Sequence, residues 1–390
     1  MIAYLDNSAT TRVLPTVADI VYKTMTETFG NPSSLHTKGF EAEKIVSAAG
    51  RDIAKTLKAD DKEIFFTSGG TESNNLALMG SARANIRSGK HIITTRIEHP
   101  SVYNPLLQLE KEGFEITFLD VDDRGVIDLG ELEKAVRDDT ILVSIMHVNN
   151  EIGTVEPIEE AGRIIKAKNA KTLFHVDAIQ SYGKFEIRPG KCGIDLLSVS
   201  GHKIHAPKGT GFLYIKKGTK IRPIIYGGGQ QKDMRSGTEN VPGIAGLAAA
   251  ADLCYRDFDT NTDRMYANRE YFVKRIMELD GVTVNGAGRD PEAPASCFAP
   301  HIISVSFSGI RAEVMLHALE ERNVYVSAGS ACSSNHPAIS GTLKAIGVKQ
   351  ELLDSTLRFS LCDETTREEL EYAIECVKEL APALRKYSRH

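Results

Sequence analysis

The sequence predicts an α/β chain, with a large domain whose mainly parallel sheet lies between helices and a smaller α+β domain. Three observations carry this prediction. From about residue 60 to 226, apolar β-branched runs alternate with segments of helical period. Those runs are continuously apolar, as in parallel strands covered on both faces. After about residue 243 the texture changes to two long helical stretches followed by mixed strands and helices. A chain of 390 residues, 42% of them hydrophobic, has enough apolar material for two cores.

Taken in order, Ile64 to Thr67 reads as a strand ending in a glycine turn, and His91 to Thr95 as the next. A helix starts near Pro100 and ends around Gly113, and Phe114 to Leu119 returns as a strand. Asp128 opens a helix, with Glu131 three positions on as a capping box. Thr140 to Met146, Thr172 to Val176, Ile194 to Val199 and Gly211 to Ile215 are further strands. Ile244 to Asp257 and Asp263 to Leu279 form the two long helices. The smaller unit then alternates a strand (Ile302 to Phe307), a helix (Ala312 to Arg322), a strand (Val324 to Val326), a strand (Thr356 to Ser360) and a last helix from Thr366 to about Tyr387. No internal repeat or low-complexity linker separates the units, which predicts an extensive shared interface.

A formal net charge of −5 gives no electrostatic reason to expect nucleic acid or an anionic membrane as partner. The N-terminus, "MIAYLDNSATT", has neither a basic nor an apolar signal region, and no stretch is long enough to span a bilayer, so a cytoplasmic location is expected. The six cysteines, at 192, 254, 297, 332, 362 and 376, form no C-x-x-C pair. In a reducing compartment most are expected to be inert core thiols.

In open α/β sheets, ligands bind beyond the carboxyl ends of the strands. The first such end carries Gly69, Gly70 and Thr71 at a helix start, where N–H groups and the helix dipole favour an anion. No Gly-Lys-Ser/Thr follows, which excludes a Walker loop. His99 follows the second strand, Asn149-Asn150-Glu151 a third, and Asp177 and Gln180 a fourth. Ser200, His202 and Lys203 end the strand from Ile194. An anion cradle, a carboxylate, a stacking ring and an amine together suit pyridoxal 5′-phosphate, with its phosphate at Gly70-Thr71, its ring nitrogen on Asp177 and its aldehyde on Lys203. A metal held by His175, Asp177, His202 and His205 is the rival; it lacks any ligand motif of established spacing and would place Lys203 beside a cation.

These stretches also carry a resemblance. "YLDNSATT" (4–11), "FGNPSS" (29–34), "FTSGGTESNN" (66–75), "EH" (98–99), "HVNNEIGTV" (147–155), "HVDAIQSYGK" (175–184), "SGHKIHAPKGTG" (200–211), "MRSGTEN" (234–240), "SAGSACSS" (327–334) and "LRFSL" (357–361) run in order through nearly the whole chain. The chain resembles the cysteine desulfurases of the NifS/IscS type, within the class V aminotransferase group of fold-type-I PLP-dependent transferases.

The resemblance implies that Lys203 bonds the cofactor aldehyde, Asp177 pairs with the ring nitrogen, and Gln180 and Asn150 lie near the ring hydroxyl. It implies that His99 stacks on the ring and assists proton transfer. Gly70, Thr71, Ser200 and His202 would hold the phosphate, joined by Thr238 from a second copy in a homodimer. Asn31 and Arg358 would bind the substrate carboxylate. Cys332 would take sulfur from L-cysteine as a persulfide, releasing L-alanine, and pass it to an acceptor protein in iron-sulfur cluster assembly or tRNA thiolation. Small residues flank Cys332 on both sides, a composition expected to make a mobile loop. Residues 15–258 would form the large cofactor domain, and 1–14 with 259–390 the small one. Burial and nearby cations are expected to keep Lys203 available as a nucleophile and base.

Three departures qualify the acceptor. "SSNHPAISGTLKAIG" follows Cys332 where relatives commonly have Leu-Glu-Pro-Ser. "GGGQQKD" (227–233) lacks the frequent Gln-Glu-Arg-Gly, and the chain ends at His390 without the longer tail of housekeeping members. A tRNA-thiolation or other sulfur-relay protein is therefore as much expected as an iron-sulfur scaffold. Selenocysteine lyase, and a non-catalytic partner in a sulfur relay, are the competing readings; joint retention of Lys203, Asp177, His99 and Cys332 argues against the second.

Overall fold

The computed structural model describes residues 1–289, 294–328 and 340–387. Cys332 lies outside the described residues. The strands are Ala3–Tyr4 (β1), Ile64–Thr67 (β2), His91–Thr95 (β3), Glu115–Leu119 (β4), Thr140–Met146 (β5), Leu173–Asp177 (β6), Leu196–Ser200 (β7), Gly211–Ile215 (β8), Val282–Val284 (β9), Ile302–Phe307 (β10), Val324–Tyr325 (β11), Ser327–Ala328 (β12) and Thr356–Ser360 (β13).

A seven-stranded sheet has the order β2-β8-β7-β6-β5-β3-β4. Strands β4, β3, β5, β6 and β7 pair in parallel, while β8 runs antiparallel to both neighbours, which gives β2 the direction of the parallel set. Their carboxyl ends therefore share one edge. Ile93, Val143, Leu197 and Tyr214 enter the core on one face. Their neighbours Ile92, Leu142, Leu196 and Leu213 enter the core on the other, as the two-residue period of a strand requires. Two-sided cover explains the continuous apolar runs; the edge strand β4 is only partly covered, running from exposed Glu115 to buried Leu119.

A second core gathers Ala3, Leu5, Phe272, Phe307, Met315 and Phe359 around the four-stranded sheet β12-β13-β10-β9 and the parallel pair β1-β11. Both chain ends reach this core, through Leu5 on one side and Val377 in the helix Arg367–Tyr387 on the other.

Helix boundaries differ from expectation at several ends. The two long helices are Val241–Arg256 and Phe258–Ile276, because Asn240 accepts from Gly243 N and caps the first one earlier, with Pro242 in its first turn. At Asp128 the capping box is half formed. Oδ1 of Asp128 accepts from Gly130 N (2.6 Å) and Glu131 N (3.0 Å), while the Glu131 carboxylate turns to Lys134 Nζ (2.8 Å). Two helices absent from the sequence reading, Pro15–Thr26 and Thr37–Leu57, bury Val17, Ile53 and Leu57 in the first core.

Candidate active site

A cavity of about 390 Å³ opens at the shared strand edge. Its wall brings together Gly70, Thr71, His99, Asn150, Asp177, Gln180, Ser200, His202, Lys203 and Arg358, all singled out in the sequence. Asn31 and Thr238 do not line it: both are exposed, and Asn31 Oδ1 accepts from Ser33 N (2.9 Å) in its own turn.

The cradle begins where β2 ends. Gly69 has φ +145, which favours glycine, and a Cβ on Gly70 would meet Ile179 Cδ1 at 2.2 Å and require that side chain to move. Thr71 is exposed and lines the cavity, and the buried Ser200 lies beside the Gly69-Gly70 turn.

Asp177 ends β6 with its carboxylate buried. Ile179 N donates to Oδ1 (2.9 Å) and Asn74 Nδ2 to Oδ2 (2.8 Å). Burial raises its pKa, opposed by the Ile179 N–H, His99, Asn74 and Lys203. Asn74 also donates to Ser101 Oγ (2.9 Å), which contacts His99 Nδ1 (2.8 Å). Since Ser101 N also donates to that nitrogen (3.1 Å), Nδ1 is an acceptor and the imidazole carries its proton on Nε2. Burial lowers the His99 pKa, and Lys203 and Arg358 reinforce the effect against Asp177. A neutral imidazole and a buried carboxylate are thus joined through Asn74 and Ser101. Neither of those two residues was assigned a role from sequence.

Lys203 follows β7 in the turn Gly201–Lys203. Contrary to expectation it is half-buried, because its side chain reaches to the cavity wall, where Nζ donates to Ser8 O (2.5 Å) and Ala9 O (2.8 Å). The segment 4–11 thus folds over the sheet edge. Gln180 Nε2 also donates to Ser8 O (3.1 Å), and His202 Nδ1 lies 3.3 Å from Thr10 Oγ1. The His202 pKa falls to about 4 through burial, followed by the charges of Lys203, Lys208 and Lys184.

Arg358, on β13, reaches the cavity from the second core. Nη2 pairs with Asp6 Oδ1 (3.0 Å), Nη1 donates to Asn150 O (2.8 Å), and Nε is buried with no partner among the described residues. Burial raises the Asp6 pKa, countered by Arg358 and Lys203.

The residues of the rival metal set do not gather. His175 is enclosed by Ser144 Oγ (2.8 Å) and Ser198 Oγ (2.9 Å), and His205 points to Asp363 (3.1 Å) instead. Among the described residues the cluster with metal-ligand spacing is His205, Cys362 and Asp363, which includes neither His175 nor His202.

The cavity fits pyridoxal 5′-phosphate on its own terms. It offers a glycine cradle, a carboxylate already fixed on two donors, an amine, and two buried polar atoms without partners among the described residues, Ser8 Oγ and Arg358 Nε.

The family model for aminotransferase class-V matches residues 3–373. The chain belongs to the class-V aminotransferase family. It is 45% identical over 386 residues to the cysteine desulfurase IscS of Dictyoglomus turgidum, covering 99% of this chain and 96% of that protein. To the IscS of Klebsiella pneumoniae it is 44% identical over 390 residues, covering 99% and 94%. A solved NifS-like protein superposes with a TM-score of 0.92 at 40% identity, covering 98% of this chain and all of that one. A solved SspA in complex with cysteine gives a TM-score of 0.79 at 34% identity, covering 93% of this chain and all of that one. The class-V fold of the family agrees with the architecture expected from sequence.

Proposed function

We propose that the protein is a PLP-dependent cysteine desulfurase that moves the sulfur of L-cysteine onto Cys332 and releases L-alanine. One observation carries the reading: Asp177, His99, Lys203 and Arg358 converge on one cavity from strands of two different sheets. Lys203 would hold the cofactor aldehyde, Asp177 its ring nitrogen, Gln180 and Asn150 the ring hydroxyl side, and Gly70, Thr71, Ser200 and His202 its phosphate. When bound, the cofactor supplies a sink for the electrons left when the substrate Cα proton departs.

The side chains divide the remaining work. Arg358, joined by Asn31, holds the substrate carboxylate. Lys203, once displaced, takes the Cα proton, and His99 Nε2 stands ready to exchange protons at the neighbouring face. The Cys332 thiolate attacks the substrate sulfur. An S–S bond forms as the C–S bond breaks, and its electron pair stays with the carbon that becomes alanine's methyl group after protonation.

Exposed Tyr22, Met25, Phe29, Leu35, Phe40 and Tyr226 support a homodimer, in which Thr238 of a second copy completes the phosphate site. Separate hydrophobic cores support the division into 15–258 and the paired ends 1–14 and 259–390. A cytoplasmic location and a persulfide-accepting protein complete the proposal. Among the described residues no helix is long and apolar enough to cross a membrane.

The test separates the two halves of the chemistry. Borohydride should fix the cofactor to Lys203 in the wild type, located by peptide mass. Cys332→Ala should keep the cofactor absorbance and its response to cysteine, but release alanine about 10³-fold more slowly. Alanine release near the wild-type rate would sink the assignment in favour of direct sulfur expulsion, the chemistry expected of a selenocysteine lyase.

A further inference from the structure

The turn after β5 carries groups that the chemistry above does not use. Asn149 sets its shape: Oδ1 accepts from Glu151 N (2.8 Å) and Ile152 N (3.0 Å), and Nδ2 donates to Ile97 O (2.9 Å). Gly153 N closes the turn on Asn149 O (3.0 Å) with φ +72, and a Cβ there would meet Ile302 O at 2.8 Å. Adjacent residues on this fixed turn then face different parts of the molecule. Asn150 O holds Arg358, while the Glu151 carboxylate accepts from Ser340 Oγ (2.5 Å).

Ser340 is the N-cap of the helix Gly341–Ala345, where its Oγ also accepts from Leu343 N (3.0 Å). Leu343 and Ile346 pack on Ile152, so apolar contact and hydrogen bonding tie this helix start to the same turn. Burial raises the Glu151 pKa, opposed by Ser340, the Arg358 charge and Thr342. On the other side, Ser327 of β12 pairs with Arg358 of β13. The chain thus leaves the second sheet beside Arg358 and re-enters the described structure at Ser340, beside Glu151. The intervening stretch contains Cys332.

We propose that Glu151 is a positioning residue for sulfur transfer, fixing through Ser340 the point at which the Cys332-bearing chain returns, in one frame with the substrate-binding Arg358. The inference rests on the desulfurase reading given above. Its physical reason is alignment: three atoms, the attacking sulfur, the substrate sulfur and its carbon, must line up, and a shift of about 1 Å can cost on the order of 10²-fold in rate. A rigid turn that grips both the carboxylate-binding arginine and the returning chain limits that shift.

Single-turnover persulfide formation on Cys332 in the holoenzyme, followed by mass spectrometry, tests this. Glu151→Ala should slow it about 10²-fold and Ser340→Ala about 10-fold, while cofactor absorbance and its response to cysteine persist. Because Ser340 acts through its bond to Glu151, which also meets Thr342, the double variant should be no slower than Glu151→Ala. Glu151→Gln, which keeps an acceptor for Ser340, should recover most of the rate. Wild-type rates in Ser340→Ala, a full Glu151→Ala defect in Glu151→Gln, or additive losses in the double variant would each overturn the inference, and the Ser340 measurement stands even if Glu151→Ala fails to fold. A wild type that forms no persulfide on Cys332 would instead overturn the desulfurase reading itself.

Discussion

The edge of the seven-stranded sheet and the edge of the four-stranded sheet both face the cavity, but they hold their polar groups differently. At the first, Asp177 has both oxygens occupied, and Asn74, Ser101 and His99 continue from it in an unbroken chain of hydrogen bonds. At the second, among the described residues Arg358 is held at its two terminal nitrogens only, by Asp6 and by a carbonyl of the other unit, and its Nε has no partner among them. A group that faces a resident cofactor benefits from complete preorganisation. One that meets a substrate at every turnover needs bonding capacity in reserve. The contrast supports the proposal that the first edge serves the cofactor and the second captures the substrate.

That division is broken most sharply at Arg358. Arg358→Gln removes a charge-assisted contact worth about 1.5–3 kcal/mol, so KM for cysteine should rise about 10- to 100-fold. The absorbance of the resting holoenzyme should stay as in the wild type. A changed resting spectrum with an unchanged KM would place Arg358 on the cofactor's side and end the comparison.

Asn74 gives the converse and smaller effect. Asn74→Ala strips one donor from Asp177 and one from Ser101, and with that donor gone burial should push the Asp177 carboxyl further up. Cofactor affinity, measured by dialysis and reconstitution, should fall about 10-fold, as expected for loss of one hydrogen bond to a buried charged group. KM for cysteine should move less. Equal changes in both quantities would mean that the two edges are not separable.

How legible this was in the sequence depends on distance along the chain. The strand ends could be read because each is local: a continuous apolar run, then a polar residue. Asn74 stood within a motif, yet its partner Asp177 is 103 residues away, and nothing local announces that pairing. The Asp6–Arg358 pair spans almost the whole chain. The helix Thr37–Leu57 escaped reading because its buried face is built partly from Gly39, Ala42, Ala49 and Gly50, whose small side chains give little contrast with the polar face. Lys203 was expected to be buried because it follows a buried strand; its side chain instead ends at the cavity wall on carbonyls of residues 8 and 9, which approach only when the N-terminal segment folds across. Asn31 matched a motif as clearly as Asp177 did but lies outside the cavity, and residue spacing cannot reveal such a separation; Thr238, expected from a second copy, also lies outside it.

A separate effect, on stability rather than on turnover, concerns the joint between the two regions. His205, in the loop after β7, pairs through Nε2 with Asp363 (3.1 Å), which follows β13, and its Nδ1 donates to Arg12 O (2.8 Å). Burial alone would lower the His205 pKa; Asp363 and Cys362 overcome it and raise the value to about 10. Asp363 is lowered: burial opposes, but His205 and Lys184 prevail. The signs follow directly. A histidine whose pKa rises on folding adds stability below its unfolded value, near 6.5, and loses that contribution as pH climbs through about 10. A carboxylate whose pKa falls contributes above its ordinary value, near 3.8, and loses its share as pH drops through the depressed one. The pair is therefore fully effective between these limits and fades on the alkaline side. Wild-type Tm should decline from pH 7 to 10. His205→Gln should lower Tm at pH 7, because it leaves Asp363 buried with less compensation, at a cost of about 3 kcal/mol. In the variant the alkaline decline should flatten, since the titrating imidazole is gone. Parallel pH profiles for the two proteins would show that His205 does not set the alkaline limit, and that the joint between the sheets rests on apolar packing instead.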